Sequence, residues 1–287
     1  MSYNTRRPRR TARGGIKRIR ALVAALILTA AALLCGCRFD PFPQGYFAEE
    51  WESVTNFFAS LREGRKNAGS SGKAESTEPW ISVNGETVPA FDGETAVFEL
   101  NGNVPLFTIE ERAAAKESGN TFERYTSLDR LGRTGTACAC LATELMPGTE
   151  RGSIDYPRPS GYINRRYAFI DNGQYLYNHC HLIGYQLTGQ TDNALNIITG
   201  TRFMNVNGML PYENLVAELL RDSRTHVLYR VTPVYAGSDL VARGVEMEAW
   251  SVEDNGRSLC YHVFCYNAQP GVEIDYATGD NRADGSK

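Results

Sequence analysis

The sequence predicts an α+β domain: an antiparallel β-sheet core with few helices. Three observations lead there. Runs rich in apolar, β-branched and aromatic residues at 225–235, 240–252 and 258–267 read as strands, and 80–88 alternates apolar with polar. Turn signals separate such runs, with Asn84-Gly85, Asn101-Gly102 and Asp254-Asn255-Gly256 each suited to a tight hairpin. One helical stripe is clear: Tyr212, Leu215, Val216, Leu219 and Leu220 recur at i, i+3, i+4, i+7 and i+8 from a start near Pro211.

The amino terminus reads as a targeting segment. Residues 1–20 hold eight basic residues and no acid, and an apolar run follows at 21–34, before Cys35-Gly36-Cys37. A basic region, a short apolar region and small residues at a cleavage point describe a secretory signal. Fourteen apolar residues are short for a permanent membrane helix. Leu34-Cys35-Gly36-Cys37 resembles a bacterial lipobox, which would make 1–36 a signal peptide and Cys37 the lipidated residue that holds the protein to a membrane; an uncleaved anchor and a simple secreted form are the alternatives. Residues 37–79 form a tether, with a short helix expected over 47–61. A linker at 62–79, rich in Gly, Ser, Lys and Glu, follows and lacks the apolar residues to bury a core.

The folded domain is expected over 80–276 and a disordered tail over 277–287. Residues 80–88 alternate around Asn84-Gly85 as a hairpin, and 98–107 carry the second Asn-Gly signal before Pro105. Within 127–147 a glycine turn feeds a strand, and 168–170 reads as another strand. Asp254-Asn255-Gly256 joins the last two long strands.

Charge and cysteines narrow the function classes. Cleavage removes eight positive charges from a net of −3 and leaves −11. Tight nucleic-acid binders are usually basic overall, so any nucleic-acid substrate must be met locally, through a metal ion and a few arginines. Five cysteines fall in the folded part, an odd number with no C-x-x-C pairs, which argues against a structural zinc site. Cys260 and Cys265 share a strand with opposite parity, so they face opposite sides and do not bridge. A Gly-rich phosphate loop, a serine elbow and a paired-zinc motif are all missing, against kinase, serine-hydrolase and metalloprotease chemistry.

Chemistry concentrates in 175–213, which holds His179, His181, several asparagines and turn-forming glycines. His181 follows the short apolar run Tyr175-Leu176-Tyr177. A neutral imidazole there can take a proton from a water attacking phosphorus, because its free pKa lies near working pH. A lone strand histidine is more often a hydrogen-bonded structural residue. Asn205 reads equally as a turn former within Asn-Val-Asn-Gly, and Glu213 as a first-turn acid favoured by the helix dipole.

The stretch resembles the DNA/RNA non-specific endonucleases with a ββα-metal (His–Me finger) core, whose hallmark is Asp-Arg-Gly-His, or Asn-Arg-Ser/Cys-His in one branch. Here the motif reads Asn178-His179-Cys180-His181, and the asparagine segment reads NIITGTRFMN at 196–205. Flanking segments at 128–135, 146–154, 157–162 and 209–219 extend the likeness over 80–276. The resemblance implies that His181 is the general base and Asn205 the direct metal ligand. It further implies that Glu213 and Asn196 order metal-bound water, with Mg²⁺ or Mn²⁺ as cofactor. Magnesium suits such a site, since it prefers hard oxygen donors and keeps several waters. Arg151 and Arg202 are the candidates to balance charge on phosphorus. DNA is the implied substrate, with RNA as a second candidate, and low sequence specificity follows because phosphodiester contacts carry no sequence information.

One position departs from the pattern. Where the family has arginine this chain has His179, which can pair with a phosphate only when protonated. A soft-metal cluster of His179, Cys180 and His181 is disfavoured, because consecutive strand residues splay to both faces. The departure and the acidic charge support a rival reading: a nuclease-fold surface module that binds nucleic acid or another partner without turnover. A polysaccharide-active enzyme, suggested by the aromatic content, lacks a carboxylate pair.

Overall fold

Six strands form the central sheet, antiparallel throughout, in the order β3-β10-β9-β8-β5-β4. They are β3 (Val97–Glu99), β4 (Phe122–Tyr125), β5 (Ala137–Leu141), β8 (Val227–Val234), β9 (Gly244–Ser251) and β10 (Cys260–Tyr266). The computed structural model describes residues 79–148, 157–171, 173–222 and 224–285, all within one compact unit, Lys66–Lys287. The expected signal, lipidation at Cys37, helix over 47–61 and nearly all of the linker lie outside the described residues. No described helix is long and apolar enough to cross a membrane.

Three two-stranded hairpins surround the sheet: β1 (Pro79–Val83) with β2 (Glu86–Pro89), β6 (Tyr177–His181) with β7 (Ile197–Thr201), and β11 (Val272–Ile274) with β12 (Asn281–Ala283). The described helices are α1 (Ile109–Ser118), α2 (Tyr185–Thr188) and α3 (Leu210–Asp222). A π-helical turn, Met204–Met209, runs directly into α3.

The two faces of the sheet are built differently. On one face Ala139, Tyr229, Met247 and Val263 meet Val216, Ala217 and Leu220 of α3 and Cys180 and Ile198 of the β6–β7 hairpin. Burying this stripe of α3, rather than helix propensity, holds the helix in place. On the other face Phe264 and Tyr266 pack under the β1–β2 hairpin with Val83 and Val88. Trp250 and Leu228 pack there with Phe107 and Ala115 of the 107–118 segment.

Several expectations need correction. Asn101-Gly102 does not make a hairpin; Asn101–Asn103 form a 3₁₀ turn. Leu100 N donates to His262 O at 3.0 Å, and Asn103 Oδ1 accepts from His262 N at 2.8 Å, so this turn docks on β10 instead of reversing a strand pair. No strand forms at 168–170; that region holds only the isolated bridge Arg166–Tyr175. Helix α1 went unseen because its apolar stripe is weak. Its start is nonetheless written as a capping box, in which Thr108 accepts from Glu111 N and Glu111 accepts from Thr108 N. The expected tail at 277–287 is ordered through its described residues: β12 pairs with β11, and Tyr276 and Asn281 are buried.

Candidate active site

Strand β6, strand β7 and α3 form a continuous ββα unit. The hairpin register pairs His181 with Ile197 and Cys180 with Ile198. Thr201 ends the hairpin and starts the helical stretch, its Oγ1 accepting from Met204 N at 3.0 Å. Buried Asn267 ties the unit to the sheet: its Oδ1 accepts from Thr201 N, and its Nδ2 donates to Thr199 O and Ala242 O.

Contacts from three residues within 180–184 gather the other candidates. The Cys180 thiol donates to Asn205 Oδ1 at 3.2 Å. Asn196 clamps Ile183, with Oδ1 accepting from Ile183 N and Nδ2 donating to Ile183 O, both at 2.9 Å. Gly184 lies against Glu213: a Cβ built on this glycine would fall 2.7–2.8 Å from the carboxylate. Gly184 has ordinary extended φ/ψ, so the glycine supplies room rather than backbone freedom.

His181 is 7% exposed, and its Nε2 lies 3.0 Å from Thr191 O. A carbonyl only accepts, so Nε2 carries the hydrogen in this contact, and a neutral ring with that hydrogen has its lone pair on Nδ1. Asn205 is half-buried on the π turn, a distortion that recurs at functional sites. Glu213 is 8% exposed, and burial pushes its carboxyl up to about 7, opposed only by a hydrogen bond from the Gly184 backbone.

The family profile of DNA/RNA non-specific endonucleases matches residues 112–253, which contain the whole ββα unit. The chain belongs to that family. NucA from Streptococcus agalactiae, solved with magnesium ion bound, is similar at 27% identity and a TM-score of 0.58, over 66% of this chain and 87% of NucA. Its form with no metal bound gives 0.57 over the same shares. Sda1 nuclease, solved with bound zinc ion, is 28% identical with a TM-score of 0.51, over 57% of this chain and 81% of Sda1. Enzyme class follows from the family: the chain is a nuclease, a hydrolase of phosphodiesters.

The donor set of this endonuclease fits a hard divalent cation. Asn205 offers an amide oxygen and Glu213 a carboxylate whose protonation burial otherwise favours. Burial, with the nearby Glu213 charge, raises the Cys180 thiol well above its usual range, so it stays protonated and is no thiolate ligand.

Arg202 lies one residue beyond β7, half-buried, with its backbone N donating to Leu176 O. Arg151 lies outside the described residues. His179 stacks on Tyr162, ring centroids 4.3 Å apart at 28°, and burial lowers its pKa. For Asn196 the structure shows a backbone clamp past His181; both of its polar side-chain atoms are engaged there.

Sequence reasoning missed Gly184 and a second polar cluster. Ligand atoms of Glu246, Glu248 and His262, all buried, lie within 4.8 Å of one another. This cluster sits on the sheet face away from the ββα unit and closes on itself. Glu246 Oε1 accepts from Asn84 Nδ2 and lies 2.6 Å from His262 Nε2. Glu248 accepts from Arg230 Nε and Leu106 N, and His262 Nδ1 lies 3.1 Å from Val104 O. With these oxygens already engaged, the cluster reads as a clasp between sheet and covering segment.

Proposed function

We propose that this nuclease is exported, anchored through Cys37, and cuts DNA and RNA with little sequence preference, using Mg²⁺ or Mn²⁺ and a histidine base. The observation that carries this reading is the position of His181 in the ββα unit, its Nε2 3.0 Å from Thr191 O. A hydrogen on Nε2 shared with Thr191 O is the tautomer that a base at Nδ1 requires, and the same short segment contacts Asn205 and Glu213.

In the proposed reaction His181 Nδ1 takes a proton from water as its oxygen forms a bond to phosphorus. The bond from phosphorus to the 3′ oxygen breaks, and that oxygen leaves with the electron pair. Asn205 Oδ1 would hold the cation, with Glu213 orienting its water. When bound, the ion supplies Lewis-acid stabilisation of charge at phosphorus and on the departing oxygen. Asn196 acts by fixing the backbone after His181. Arg202 and Arg151 are the cations proposed to face the phosphate. His179, with its lowered pKa, is neutral at neutral pH and gives the substrate no permanent charge there.

The test is nicking of supercoiled plasmid by the full chain, with Mg²⁺ or with chelator, beside His181→Ala. We expect metal-dependent cleavage that falls by about 10²–10⁴-fold in the variant while its thermal midpoint stays close to the parent's. Full activity in His181→Ala removes the histidine from the reaction. Binding without cleavage, with any divalent ion across mildly acidic to mildly alkaline pH, favours the surface module.

A further inference from the structure

The chain entering β6 carries a second surface beside the hydrolytic unit. An excursion there closes through the bridge Arg166–Tyr175, with Tyr167 N donating to Gln174 O at 2.8 Å and Leu176 N to Arg165 O at 3.0 Å. Two large rings are partly exposed on it: Tyr175 at 47%, and Phe169 at 36% with its ring tilted against Tyr167 at 5.6 Å. The Arg166 guanidinium lies 4.6 Å over the Tyr175 ring and is steadied by Nε donating to Gly173 O. Tyr175 therefore presents a ring already backed by a planar cation.

This surface runs toward the site. Tyr162, stacked on His179, is fixed by its hydroxyl, which donates to Tyr177 O and accepts from Asn164 Nδ2. Tyr175 precedes His181 by six residues of largely extended chain, about 20 Å. Residues 157–181 carry Arg158, Arg165 and Arg166 against Asp171 alone, a local excess of positive charge in a chain of net −3. Arg165 is neutralised by Asp280 at 2.6 Å, which leaves Arg158 and Arg166 against Asp171, a net of one positive charge toward an anionic partner.

We propose that Tyr175, capped by Arg166, and Phe169 form a stacking platform for unpaired bases of a single nucleic-acid strand whose backbone is cut at His181; this rests on the nuclease reading above. A flat ring backed by guanidinium recognises the face of any base, so it adds affinity without sequence preference. In a duplex those faces are stacked on one another and out of reach, so the platform favours single strands. It also supplies affinity that the acidic overall charge does not.

The test separates binding from cleavage. With chelator present, the full chain is titrated with three fluorescent probes: oligothymidylate, an abasic strand of equal length, and a blunt duplex. Tyr175→Ala should weaken oligothymidylate binding about tenfold and leave the abasic strand and duplex within twofold, while Tyr175→Trp restores parental binding. A thermal midpoint matching the parent's excludes misfolding as the cause. Unchanged oligothymidylate binding overturns the platform, as does an equal loss on all three probes. Plasmid nicking by the unmutated protein with Mg²⁺ reports separately on the nuclease reading, so either can fail without the other.

Discussion

Glu213 shows what one residue does when its surroundings are set by distant parts of the chain. Its carboxyl is buried against Gly184, with a pKa near 7 because burial penalises the charge. A group whose folded pKa exceeds its unfolded value stabilises the protein fully below the unfolded pKa, and that stability is lost as pH rises through the folded pKa. For Glu213 the window runs from about 4.5 to about 7. Without divalent cation the protein should lose up to about 3 kcal/mol across it. Glu213→Gln should remove that loss: in chelator the variant melts like the parent at pH 5 and higher than the parent at pH 8. Adding Mg²⁺ at pH 8 should raise the parent's midpoint more than the variant's. A difference between the two proteins that does not vary with pH would show that the carboxyl carries no such penalty. Sequence showed Glu213 as an acid near a helix start and gave Gly184 no role of its own. That one fills the space left by the other's missing Cβ is a tertiary fact, set by α3 crossing the end of the hairpin.

At the scale of elements, the ββα unit depends on close approach between hairpin and helix. A Cβ on Gly200 would lie 2.5 Å from Cys180 Cβ and 2.8 Å from Met204 Cε. The first of these atoms is rigidly attached to backbone, so Gly200→Ala must move β6 or β7. Overpacking of this kind typically costs about 1–3 kcal/mol. Because Cys180 adjoins His181 and bonds Asn205, nicking activity should fall as well; urea melts and plasmid assays on the same preparation would measure both. An unchanged urea midpoint would mean that the hairpin opens without strain. Elements were legible where local pattern and tertiary role agree: β8, β9 and β10 are runs rich in apolar, β-branched and aromatic residues, Asn84-Gly85 turns a real hairpin, and α3 carries a full apolar stripe. They were hidden where a few anchors hold a short piece. β11 and β12 are three residues each, and they lie among the buried Tyr276 and Asn281. The second Asn-Gly misled because nothing local says that Leu100 and Asn103 bond to His262, some 160 residues later.

For the whole molecule, the sheet separates two kinds of chemistry. One face carries the ββα unit, whose candidate residues His181, Asn205 and Glu213 lie within one stretch of chain that motif spacing picks out. The other face carries Arg230, Glu246, Glu248 and His262, which no spacing connects. On β9 the glutamates alternate with Val245, Met247 and Ala249, a pattern that reads as a polar face turned to water. The β1–β2 hairpin and the 100–118 segment cover that face, so the charges are buried and must satisfy one another. Arg230 bridges Glu248 at 2.6 Å and Glu111 of α1 at 3.1 Å. Removing one member leaves its partner charged and buried, which costs about 3–5 kcal/mol. Glu248→Ala should therefore lower the thermal midpoint by on the order of 10 °C, since Arg230 loses its buried partner and Leu106 N its acceptor. Cleavage per folded molecule should stay at the parental level at temperatures well below the new midpoint, because the sheet lies between this clasp and His181. Pairing Glu248→Met with Arg230→Met should recover much of the loss by replacing charge with apolar volume. If Glu248→Ala instead abolishes cleavage and leaves the midpoint unchanged, the cluster takes part in the reaction rather than fastening the sheet to its covering segment.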